Sequence, residues 1–273
     1  STSALATAIG RDWSGATTIA TATLNKVKTA AFMKATGTTA TYFLSDGSKH
    51  LANAAQLESL ASFGPIATVS ADYLGKFTTG SPVTSLLKNG TDNWYIAGTS
   101  KYKITQAKAT AIGLDWTKSL TATTAQLATL SSPILMKASA TGTTYLIDDF
   151  VNRYPLAADE LTNYAGLGIT GIVPTSYLES FTLKTDPGRF VSCDDGYRYF
   201  LSGTTRYRVS SATAAKNISP DSFPTASFSY LPTLSAAEMS GYSDTTATGS
   251  ITTYVNGTSA DYILENGKRR EIL

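Results

Sequence analysis

The chain has 273 residues, with 22 Lys or Arg against 20 Asp or Glu, and only 15% of its residues are charged. A net charge of +2 gives no electrostatic drive toward nucleic acid, and no polybasic tract is present to hold an anionic membrane. One cysteine and one histidine exclude a disulfide framework and the usual Cys/His zinc sets.

No apolar run approaches a membrane span. A surface rich in Ser, Thr, Ala, Gly and Tyr but poor in charge suits an extracellular protein better than a cytosolic one. The chain opens at Ser1 without a signal peptide, so a leader or an upstream domain is expected to have been removed.

The first unit, residues 1–52, sets the pattern. Ser3–Gly10 is expected as a short helix with Ser3 as N-cap and Gly10 as its stop, followed by Arg11-Asp12-Trp13. A Thr-rich connection ends at Leu24, a strand covers Ala31–Lys34, and a hairpin runs from Tyr42 to His50. The second unit, 53–104, opens on Asn53 with Gln56 three residues on, the spacing of a capping box. Leu57, Leu60 and Ala61 give it an apolar helical face, and Gly64-Pro65 ends it. It closes with the hairpin Trp94–Ile104, the fullest copy: an aromatic strand, a Gly turn, then Lys101-Tyr102-Lys103-Ile104.

The third unit, 105–156, repeats Ala6–Trp13 almost residue for residue in Ala109-Thr110-Ala111-Ile112-Gly113-Leu114-Asp115-Trp116. Its Ser132-Pro133 strand repeats the one at Ser81-Pro82, and Asp148-Asp149-Phe150 replaces the Gly turn. The fourth unit, 157–209, opens a helix at Ala158–Leu161 and ends in the hairpin Tyr199–Val209. The fifth, 210–273, carries a Gly/Ser/Thr-rich insertion at Ser240–Ser250, expected as an exposed loop, before Tyr262–Arg270.

Five copies of about 50 residues favour one continuous repeat domain, 1–273, over two independent ones. Each unit begins with a helix and ends with a hairpin, so Leu273 running on into Ser1 would restore the pattern. The expectation is a mainly β fold with short helices, a closed ring of five repeats resembling a five-bladed β-propeller. An open α+β repeat stack is the alternative, although it needs capping repeats and none is evident.

Chemistry is scarce. There is no Gly-rich phosphate loop and no calcium-loop spacing, so neither a cofactor nor a metal is expected. Asp148-Asp149 and Asp194-Asp195-Gly196 are the acidic pairs, and both read first as turns. A Ser/His/Asp triad would have to use His50, which holds the hairpin position filled by Tyr102, Tyr154 and Tyr207 in sister units. Cys193 reads as a small buried side chain, since the adjacent Asp194 and Asp195 work against a thiolate. A glycoside hydrolase needs only two carboxylates placed where the repeat is otherwise preserved, with Asp148, Asp149, Asp194 and Asp195 as candidates. It stands as an alternative; the chain is not expected to be an enzyme.

Aromatic side chains recur once per unit instead. Trp13 and Trp116 follow helices, Tyr73, Tyr177 and Tyr230 lie in the connections, and Tyr102 and Tyr207 lie in the hairpins. These seven are the expected ligand-binding residues: flat rings offer apolar area to a sugar face, and repeated weak sites give avidity on a polymer. Core packing is the competing reading for each. In the hairpins either the tyrosines face inward and the flanking Lys and Arg are solvated, or the reverse; the first is favoured.

The hairpin pattern, followed by Ala-x-x-x-Gly-Leu-Asp-Trp, resembles repeats of secreted, cell-wall-associated bacterial proteins of the actinobacterial type, often found beside cell-wall-active or glycan-degrading enzymes. The resemblance extends over all five units, with the third and fourth hairpins departing most. It implies a non-catalytic, monomeric extracellular module that recognises a polysaccharide or cell-wall glycan through repeated shallow sites. A protein-binding adhesin or scaffold is the other non-catalytic reading.

Overall fold

The structure, a computed structural model, describes residues 30–138, 141–218, 228–244, 254–256, 261–265 and 268–272. The expected helix Ser3–Gly10, Trp13 and most of the insertion, 245–250, lie outside the described residues. The fold is mainly β, built from small sheets joined by short helices. The chain divides into two compact units, Ser1–Ser131 and Ser132–Leu273.

In the first unit, β1 (Phe32–Ala35), β2 (Thr41–Ser45) and β3 (Ser48–Ala52) form an antiparallel meander. Asp46 and Gly47, both at positive φ (48° and 77°), make the two-residue turn that such a hairpin needs. A capping box on Asn53 and Gln56 then starts the helix Ala54–Ser59, as the spacing predicts. The connection beyond this helix is more than a linker. β4 (Ile66–Val69), the helix Ala71–Gly75 and β5 (Thr78–Thr79) form one segment, and its two strands pair in parallel with opposite edges of the meander. The strand order is therefore β4-β1-β2-β3-β5. The second sheet repeats it with β6 (Leu86–Asn89), β7 (Asp92–Ala97), β8 (Ser100–Lys103) and β9 (Leu120–Thr121), and Ser131 bridges to Ser100 on the far edge.

The second unit holds two such sheets. One has the order β13-β10-β11-β12-β14, from β10 (Leu135–Lys137), β11 (Tyr145–Asp148), β12 (Asn152–Pro155), β13 (Thr170–Ile172) and β14 (Thr182–Leu183). The other has the order β18-β15-β16-β17-β19, from β15 (Phe190–Cys193), β16 (Arg198–Ser202), β17 (Thr205–Arg208), β18 (Thr233–Leu234) and β19 (Ser243–Asp244). A last meander comprises β20 (Tyr254–Asn256), β21 (Asp261–Glu265) and β22 (Lys268–Ile272).

The sheets cross the expected boundaries at 52, 104, 156 and 209, because each meander takes its edge strands from the residues that come after it. A meander leaves unpaired N–H and C=O groups on both edges, and the next segment of chain covers both at once. An all-antiparallel propeller blade differs from this arrangement, in which the outermost strands run parallel to their neighbours.

Packing obeys the period of two. In the first unit Phe32 and Phe43, on one face of the first sheet, cluster with Leu87, Ile96 and Leu120 of the second. In the second unit Leu135, Leu146 and Tyr154 cluster in the same way with Val191, Tyr199 and Leu201. In each unit one sheet packs on another through these side chains. The expected helix at Ala158–Leu161 is replaced by a 3-10 stretch, Leu161–Leu167, whose Tyr164 is fully buried and donates to the Gly188 carbonyl. Its Gly166 meets Gly241 so closely that a Cβ on Gly241 would lie 2.1 Å from the Gly166 oxygen.

Candidate binding cleft in the second unit

The aromatic residues expected to bind ligand part company. Tyr102 and Tyr177 are buried, 1% and 0% exposed, so their rings belong to the core and not to a ligand-facing surface. Tyr102 packs on Tyr95 with ring centroids 6.2 Å apart, and Tyr177 meets Phe181 edge-on. Tyr73, Trp116, Tyr207 and Tyr230 are half-buried, and Trp13 lies outside the described residues. No cluster of these rings forms a common platform among the described contacts. The hairpin series does share one structural place. His50, Tyr102, Tyr154 and Tyr207 stand directly across from Phe43, Tyr95, Leu146 and Phe200 in four successive sheets. His50 is buried, its Nδ1 is 2.7 Å from the Ser81 carbonyl oxygen, and its ring covers Gly80.

The basic residues of the hairpins are also structural. Lys49 and Lys101 lie over the rings of Tyr42 and Trp94, at 5.7 and 5.3 Å, and Arg153 and Arg206 lie over Tyr145 and Tyr199, at 5.2 and 4.9 Å. Lys49 Nζ donates to the Leu74 carbonyl at 3.0 Å and Lys101 Nζ to the Leu127 carbonyl at 2.5 Å. Each carbonyl lies in the last turn of a five-residue helix and also accepts a backbone N–H, from Phe77 at 3.4 Å and from Leu130 at 3.2 Å respectively. Arg206 instead pairs with Asp244 at 3.3 Å.

A cavity of about 730 Å³ opens in the second unit between the β11–β12 turn and the start of the 3-10 turn Glu238–Gly241. Asp148, Asp149, Asp194 and Glu238 line it together with Phe150, Val151 and Leu234. The turn is unusual. Where the first sheet has Asp46-Gly47, this hairpin has three residues, and two without a glycine's freedom sit at positive φ: Asp149 at 43° and Phe150 at 55°. The backbone thus holds a half-buried Phe150 and a 54% exposed Val151 at the cavity rim.

Register makes the contrast with the first unit explicit. Thr233 stands opposite Ser192 as Thr121 stands opposite Lys88. On that frame Asp148 replaces Ser45, Asp194 replaces Gly90 and Glu238 replaces Gln126, while Asp149 matches Asp46. In the first unit Ser45 and Asp46 are both spent on Thr121. In the second, three neutral positions have become carboxylates around a cavity.

Each carboxylate is held by the fold. Asp148 is 6% exposed and accepts from the Tyr154 hydroxyl at 3.2 Å and from the Thr233 N–H. Burial pushes its carboxyl above the ordinary range, ahead of those opposing hydrogen bonds. Asp194 accepts from the Ala236 N–H at 2.8 Å. Glu238 accepts from the Ser235 N–H and hydroxyl, both at 2.7 Å, and its own N–H donates to Ser235 Oγ, forming a capping box. Both Asp194 and Glu238 keep lone pairs for a ligand. Asp195 is not in this group. It accepts from Tyr199 at 2.7 Å, and that bond with the Tyr197 N–H outweighs burial and lowers its pKa. Cys193 is buried and its thiol is pushed up to about 11, first by burial and then by its acidic neighbours, which fits a structural role.

Among the described residues no group of three or more His, Cys, Asp or Glu has the arrangement of a metal site. Glu238 carries no signal of its own in the sequence beyond Ser235 three residues earlier.

No family model matches the chain, and no curated protein matches it. Among solved structures it is similar to a chain in the "Structure of the periplasmic assembly from the ESX-5 inner membrane complex, C1 model", at 9% identity and a TM-score of 0.18, over 80% of this chain and 60% of that one. It is also similar to a chain in the "Structure of an intact ESX-5 inner membrane complex, Composite C3 model", at 10% identity and a TM-score of 0.18, over 90% and 60%. The chain thus spans 60% of the length of each. At these scores neither likeness carries weight for fold or function.

Proposed function

We propose that the chain is a non-catalytic binding module for a polysaccharide or cell-wall glycan, working outside the cell or at the wall, with the second-unit cleft as its principal site. The observation that carries this reading is the cavity itself. An apolar rim of Phe150 and Val151 shares its lining with carboxylate residues from three separate chain segments. Sugar rings present an apolar face and a belt of hydroxyl donors, which such a lining matches. No helix of the described residues is long and apolar enough to cross a membrane. A closed ring of five repeats is proposed together with this reading.

The test is retention on insoluble polysaccharides and cell-wall fractions, comparing the wild type with Phe150→Gly. The substitution removes the apolar rim and suits the positive φ, so the fold is kept. The wild type is expected to be retained and the variant to lose most of that retention. Equal retention of both, or none of the wild type, contradicts the proposal.

Glycoside hydrolysis is the second reading, favoured by one observation: the unique acids sit where the repeat is otherwise preserved, and burial raises the Asp148 carboxyl. Turnover of chromogenic glycosides that is lost in Asp148→Asn would establish it.

A further inference from the structure

A second cavity of about 420 Å³ adjoins the first, lined by Ser132, Ile134, Gly166, Gly168, Ser240 and Gly241, with Glu238 common to both linings. The two also share an end of the third sheet. The Ile147 N–H donates to the Ile134 carbonyl, which places the Ser132–Ile134 approach alongside the strand that ends in Asp148. The 3-10 turn Glu238–Gly241 contributes Glu238 to both linings and Ser240 and Gly241 to the second, and its Gly241 approaches the Gly166 backbone closely.

We propose that these cavities are two subsites of one groove, and that its ligand is a linear oligosaccharide spanning both rather than a single terminal sugar. The proposal rests on the carbohydrate reading of the cleft and specifies the ligand class. The first subsite alone has the volume of an ordinary ligand pocket, so the second offers room beyond one ring. The lining chemistry differs between the ends. The first combines an aromatic rim with four carboxylates; the second shares only Glu238 of these and is otherwise walled by glycine backbone, two serines, Ala237, Ile134 and Leu167, which suits a neutral ring with hydroxyls toward peptide groups. Neither lining contains Lys or Arg, so uronates and phosphorylated sugars are disfavoured and neutral or amino hexoses are admitted.

Calorimetric titration of the full chain with cello-, chito- and glucosamine-oligosaccharides of one to four residues tests this directly. In at least one series, affinity should rise by about tenfold from monosaccharide to the length that fills both subsites, then level off. Ser240→Trp, at an exposed position of the second cavity, should abolish the gain with length. Thermal unfolding by circular dichroism verifies that the variant is folded. Equal affinity for one and for four residues, or a Ser240→Trp variant that keeps the length gain, overturns the two-subsite groove but leaves the carbohydrate reading intact. Absence of binding in every series overturns both.

Discussion

Asp148 shows how a single carboxylate can be placed for a ligand at a cost to the fold. Its carboxyl is buried and its folded pKa is raised. For an acid shifted this way the folded chain binds the proton more readily than the unfolded chain. Stability is therefore fully present below the unfolded pKa and declines as pH rises through the folded value. Asp148→Asn keeps an acceptor for the Tyr154 hydroxyl and the Thr233 N–H while removing the buried charge. The variant is expected to be more stable than the wild type at pH 7, with the difference shrinking as pH falls to about 3. Urea unfolding at the two pH values checks this, and a variant less stable at pH 7 would show that the charge itself holds the site together. The neighbouring Phe150 carries the same logic in the backbone, since a positive φ in a bulky residue is sustained only by its surroundings.

At the level of elements, the basic residues of the hairpins serve the short helices. Lys101 stacks on Trp94 and donates to the Leu127 carbonyl, and burial lowers its pKa. Lys101→Met keeps most of the apolar stem but loses the charged donor, and should cost about 1 kcal/mol in urea unfolding. Lys103→Met removes a charge whose ion pair with Asp92 is half exposed, and should change stability by less than about 0.5 kcal/mol. Equal losses in the two variants would show that the stacked position has no special part in anchoring the helix. These elements differ in how far they can be read from sequence. Hairpins and caps are local, so alternation, a turn glycine and the Asn53/Gln56 spacing announce them. The edge strands are not local. Thr78–Thr79 and Thr182–Leu183 are two residues long and exist because a preceding meander offers an open edge. The tyrosines at 102 and 177 are legible as recurring, but alternation alone cannot say which face is covered when sheets pack on one another.

For the molecule as a whole, repetition supplies the frame and a departure from repetition supplies the site. Asp148 and Asp194 stand out in the sequence as unique acids, yet their meeting in one cavity lining depends on two sheets packing across a long stretch of chain. Glu238 joins them through a capping box that in the first unit is made by Thr123 and Gln126, so only the superposed repeats reveal it. Five equivalent shallow sites would require each unit to keep an accessible aromatic surface, whereas Tyr102 and Tyr177 are core. The central claim is thus that one cleft in the second unit dominates recognition. The stoichiometry of calorimetric titration with the best-binding oligosaccharide tests it most directly: about one ligand per chain, with binding lost in Phe150→Gly, is the predicted result. Several equivalent ligands per chain, bound undiminished by that variant, would contradict it.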